Sequence, residues 1–177
     1  MVLFEQDYRW TPLDAQHDVP FSFTCPDGAA EVRLYFTFSP GRETSEEICR
    51  PEVEKALTRY YDCYPHELQP MRAEQFLPVK NLITISLDKD GTYIGNAHRW
   101  ATEQEHILTT EQASRGFVPP ARLSGEWSGA LHLHEIISPV CCGTLRIEGR
   151  VPDEVVSGWT AYPYRTQRRR FHRIRFG

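Results

Sequence analysis

Hydrophobic and polar positions alternate along much of this chain, and that period of two predicts β-strands. From Val19 to Cys25, the residues Val19, Phe21, Phe23 and Cys25 share one face, with Ser22 and Thr24 on the other. Pro26, Asp27 and Gly28 then make a turn, because proline presets φ and glycine accepts positive φ. In the next run Val32, Leu34, Phe36 and Phe38 face one way, and Glu31, Arg33, Tyr35 and Thr37 the other. The two runs read as consecutive antiparallel strands. Further along, Ile83, Ile85 and Leu87 alternate with Thr84, Ser86 and Asp88, and Asp90-Gly91 turns the chain towards Tyr93 and Ile94. A weaker strand is expected around His106 to Thr109, a strand run opens at Trp127, and a last one covers about 140–149 with Leu145 and Ile147 inward.

The period changes once. Val53, Ala56, Leu57, Tyr60 and Tyr61 recur at the spacing of one helix face. Pro51 suits a first helical position, and Glu52 and Glu54 suit the positive end of the helix dipole. The spacing predicts one inserted helix near 51–62, packed on an edge or end of the strands. Seven or eight strands with short turns predict a mainly β fold, an antiparallel β-sandwich over residues 1–150, jelly-roll-like or immunoglobulin-like. A parallel α/β fold would need a helix after nearly every strand. After Gly149 the alternation fades, which sets 151–177 apart as an Arg-rich C-terminal tail.

Composition adds three points. With 177 residues, 40% of them hydrophobic, the chain can bury a core that needs no disulfide or metal staple. No apolar run approaches the ~18 residues of a membrane-spanning helix, and Glu5, Asp7 and Arg9 interrupt the first ten residues where a secretion signal would be apolar. The cysteines are Cys25, Cys49, Cys63, Cys141 and Cys142, an odd number without C-x-x-C spacing. Neighbouring Cys141 and Cys142 would point to opposite faces of a strand. Reduced thiols and a bacterial-type cytoplasm are expected.

Charge divides the chain. Arg165, Arg168, Arg169, Arg170, Arg173 and Arg175 lie in a stretch without an acid, and without them 14 basic residues face 24 acidic ones. Self-docking of this stretch, or its solvation, is the first expectation, ahead of a partner protein. Nucleic acid is the least expected partner.

The candidate chemistry is sparse. His132 and His134 are two apart in a strand, so both imidazoles could grip one divalent metal ion, with His98 or His106 completing the site and Glu126 or Glu135 lending a carboxylate. Against this, Leu131 and Leu133 claim the opposite face as core, which leaves the histidines as hydrogen-bonded or solvent-facing residues of an outer sheet. Tyr93 and Trp100 could stack on a sugar or another apolar ligand face, while Trp127 is expected to anchor the core. Gly125-Glu126-Trp127-Ser128-Gly129 has its serine one place late for a nucleophile elbow, and no phosphate-binding glycine loop occurs. Cys63 and His66 are close in sequence but are expected to be inert.

Three segments together carry a family resemblance. They are Phe21-Ser22-Phe23-Thr24-Cys25-Pro26-Asp27-Gly28 with its strand to Pro40, Asn81 to Asp88 with Gly91 beyond, and Ala113 to Pro120 followed by Gly125-Glu126-Trp127. In this order they resemble the N-terminal β-sandwich domain of CehA/MchA-type metallohydrolases, over roughly residues 17–149. The catalytic part of those enzymes is a polymerase-and-histidinol-phosphatase (PHP) domain that follows the sandwich. Only 28 residues follow Gly149 here, and the opening His-x-His of such a site is absent from them. The resemblance therefore implies a non-catalytic accessory or binding module, one that would work beside a separately encoded PHP-type hydrolase or bind a ligand of its own, with no catalytic residue carried over. No cofactor is expected on this reading. Two alternatives stand beside it: a small metal-dependent jelly-roll enzyme using His98, His132 and His134, and a carbohydrate-binding module using Tyr93 and Trp100.

Overall fold

The computed structural model describes residues 1–66 and 70–152. The alternating runs form β1 (Val2–Trp10), β2 (His17–Cys25), β3 (Glu31–Ser39), β6 (Leu82–Lys89), β7 (Thr92–Ala97), β8 (Glu103–Leu108), β9 (Gly125–Glu135) and β10 (Cys141–Arg150). Between β3 and β6 lie a two-stranded ribbon, β4 (Arg42–Glu43) with β5 (Val79–Lys80), and one helix, α1 (Glu46–Cys63). The eight longer strands make two four-stranded antiparallel sheets, in the orders β1-β10-β3-β8 and β2-β9-β6-β7. Ribbon aside, the first strand pairs with the last, the second with the seventh, the third with the sixth and the fourth with the fifth. That is one long hairpin rolled into two layers, the jelly-roll order, and it decides between the two expected sandwiches.

The core follows from the alternation. Leu34, Phe36, Leu145 and Ile147 meet Ile83, Ile85, Leu87, Trp127, Leu131 and Leu133 from the other sheet. Each fully buried side chain of this kind contributes about 1.5–3 kcal/mol. Trp127 is a core anchor as expected: it stacks on Phe23 at 5.5 Å between centroids, and its indole N–H donates to the Leu123 carbonyl at 2.7 Å. The turn at Asp90-Gly91 holds positive φ at both residues, 49° and 75°, which fits the two-residue hairpin between β6 and β7.

One expectation is corrected. The helix begins at Glu46, so Pro51 lies inside it rather than at its first position. The earlier turns are held by Cys49, which is buried one helical turn before Val53, and by Arg50, which pairs with Glu46, with Glu54 at 3.7 Å and with Glu74 at 2.7 Å. The strand β1 carries no clean alternation because it is a sheet edge where only Tyr8 and Trp10 are buried. Among the described residues, no helix is long and apolar enough to cross a membrane. The Arg-rich stretch from 153 onward lies outside the described residues.

Candidate functional site

Two features stand out, a carbon-walled groove beside α1 and a polar face on the β2-β9-β6-β7 sheet. The groove is a product of helix periodicity. Val53, Ala56, Leu57 and Tyr60 lie at i, i+3, i+4 and i+7, so α1 turns one apolar stripe inward. Across from them sit Met71, Phe76 and Pro78 of the connection, Leu82 of β6 and Trp100 after β7. They bound about 710 Å³, within the roughly 300–1,000 Å³ usual for small-molecule sites.

Among the described residues, two charged side chains line this groove. The Lys80 ammonium stands over the Trp100 ring, 5.0 Å from its centroid, a cation–π contact. Glu135 sits where β9 ends, and its carboxyl is raised above the ordinary range, first by burial and then by Glu52. The Trp100 ring is 56% exposed although its neighbours are apolar. Tyr93 does not share this place. It is 61% exposed and pairs with Asp88 beside the β6–β7 turn, so the two rings form no common platform.

The polar face arises where β2, β9 and β6 turn their alternate residues away from the core. Here the three histidines singled out in the sequence come together. His134 lies 5.4 Å from His98 and 6.2 Å from His132, measured between ring centroids. The nitrogens of His132 are both engaged, Nδ1 with Asp18 Oδ1 at 2.6 Å and Nε2 with Ser86 Oγ at 2.8 Å. His134 Nε2 lies 2.9 Å from Thr84 Oγ1. Hydroxyls and a carboxylate thus occupy ring positions a metal would need. Among the described residues, no three His, Cys, Asp or Glu side chains are arranged to hold a metal ion.

The remaining candidates lie elsewhere. His106 is on the opposite sheet, 2% exposed, against Phe117 and Gln104. Glu126 accepts from the Thr24 hydroxyl at 2.9 Å near the far end of β9. Asp18, Thr84, Ser86 and Asn96 were not marked by any sequence motif. Asp18 meets His132 only because β2 and β9 pair in that register, which no local spacing reveals.

Compared with known proteins, the chain matches no family model and no curated sequence. The strand order therefore defines the class, a jelly-roll β-sandwich, and the groove and polar face carry the functional reading.

Proposed function

We propose that this chain is an accessory β-sandwich binding module that takes a small amphiphilic molecule into the groove beside α1. The observation that carries the reading is an exposed Trp100 ring closing a carbon-walled groove with the Lys80 ammonium over it. An apolar ligand body would lie along Leu57, Tyr60 and Phe76, and an anionic head would pair with Lys80. Glu135, whose carboxyl is already raised, disfavours a second negative charge at its own end of the groove and so supports one orientation. The resemblance of residues 17–149 to the sandwich domain of CehA/MchA-type enzymes supports a PHP-type hydrolase as the protein beside which such a module works.

The test is a fluorescence titration of the full chain with 1-anilinonaphthalene-8-sulfonate, followed by displacement with decanoate. Saturable enhancement, full displacement, and at least a tenfold weaker Kd in both Trp100→Ala and Leu57→Asp support the reading. Dye binding that neither substitution alters would place the apolar surface elsewhere and end it.

A further inference from the structure

We propose that Ser86 is an activated nucleophile that accepts an acyl group from small activated esters, through an Asp18–His132–Ser86 relay on the outer face of the β2-β9-β6-β7 sheet. The three side chains come from three adjacent strands. Asp18 stands directly opposite His132 in the β2–β9 ladder. His132 stands opposite Thr84 in the β9–β6 ladder, so its ring reaches Ser86 on the diagonal.

The hydrogen bonds fix the proton. The Asp18 carboxylate can only accept, so Nδ1–H of His132 donates to it at 2.6 Å. The lone pair is then on Nε2, where the Ser86 hydroxyl donates at 2.8 Å. A carboxylate that holds an imidazole, which in turn holds a hydroxyl proton, is the arrangement of acyl-transfer triads on unrelated folds. Ser86 is buried, 8% exposed, beneath a His132 side chain that is 24% exposed, so a reagent reaches the hydroxyl past the imidazole edge only if it is small.

The surroundings agree. Thr84, fully buried, holds His134 beside the relay. His134 is kept below the ordinary imidazole range by burial and then by His98 and His132, which favours its neutral form next to a His132 that must accept a proton. Asn96 stands directly opposite Ser86 across the β6–β7 ladder and brings a side-chain amide, a donor of the kind that stabilises an oxyanion. Asn96 is half-buried, and its Oδ1 is enclosed without a hydrogen-bond partner.

The step balances without a co-reactant. Ser86 Oγ bonds to the ester carbonyl carbon while its proton passes to His132 Nε2. The carbon–oxygen bond to the leaving group breaks, and the leaving oxygen takes that proton. The products are acyl-Ser86 and the free alcohol. Water, deprotonated by the same imidazole, then releases the acid and restores the hydroxyl.

The experiment treats the folded full chain with diisopropyl fluorophosphate and, separately, with p-nitrophenyl acetate, and locates the adduct by peptide mass spectrometry. The expected result is modification at Ser86, lost in Ser86→Ala and at least tenfold slower in His132→Gln. In Asp18→Asn the labelling rate should fall. Trp100→Ala should label like the unaltered chain, which separates this site from the groove. An unmodified Ser86 in the folded, unaltered protein overturns the proposal whatever the variants do. So does labelling of Ser86 at an unchanged rate in His132→Gln.

Discussion

The side-chain amide of Asn81 donates to the Ser138 hydroxyl at 2.9 Å, inside the protein and 57 positions along the chain. The same amide donates to the Pro40 carbonyl at 2.8 Å, and its oxygen accepts from the backbone of Ile137 at 2.8 Å and of Ser138 at 3.3 Å. One buried residue thus ties the start of β6 to the segment leaving β3 and to the β9–β10 connection. Asn81→Ala leaves several buried polar groups unpaired, at about 1–3 kcal/mol each before relaxation. We expect a net loss of about 2–4 kcal/mol by urea denaturation. A loss below about 1 kcal/mol would mean that water replaces the amide without strain.

His106 makes stability depend on pH. Burial, with a smaller contribution from Arg99, pushes its pKa down to about 4. Its Nε2 bonds to Gln104 Oε1 at 3.1 Å and its Nδ1 has no partner. The unfolded chain, with an imidazole near the usual ~6.5, binds the proton that the native protein refuses. Stability from this residue is therefore complete above about pH 6.5 and falls as pH drops towards 4, by about 3 kcal/mol in all. Urea midpoints at pH 4.5, 5.5 and 7 should show that slope, and His106→Phe should flatten it. An equal slope in the variant would assign it to other groups.

The thiols report on the sheet faces. Cys25, Cys49 and Cys141 are buried, whereas Cys63 and Cys142 are exposed. Cys141, pushed up to about 11 chiefly by burial, resists deprotonation as well as access. Alkylation of the native protein should modify Cys63 and Cys142 promptly, and all five cysteines only in denaturant. Prompt modification of Cys141 would show that β10 faces the other way.

Much of the sandwich was legible because apolar and polar residues alternate along its strands, as in Val32 to Phe38, and the same alternation marks Ile83 to Leu87 although Thr84 and Ser86 on the other face are buried as well. The opposite directions of Cys141 and Cys142 follow from the same pleat. The helix start was misplaced because Pro51 resembles a first-turn proline, while the turns before it are held by Cys49 and by the ion pairs of Arg50. The histidine spacing foretold that His132 and His134 share a face, but it left His98 and His106 as equal candidates beside them, and strand pairing brings His98 there while His106 lies on the other sheet. It could not foretell that Asp18 and Ser86 would take both nitrogens of His132, because those contacts exist only through strand pairing. Likewise, Tyr93 and Trp100 looked alike in sequence but are separated by the length of β7.

The groove reading meets its most direct test in an NMR titration of the full chain with decanoate. The Trp100 indole N–H and the methyl groups of Val53 and Leu57 should shift together and saturate, while the buried indoles of Trp10 and Trp127 stay in place. Assignment by Trp100→Phe removes ambiguity among the indoles. A saturable response confined to these residues is the predicted result. An unmoved Trp100 signal at saturating decanoate, or equal shifts at Trp10 and Trp127, would contradict the account.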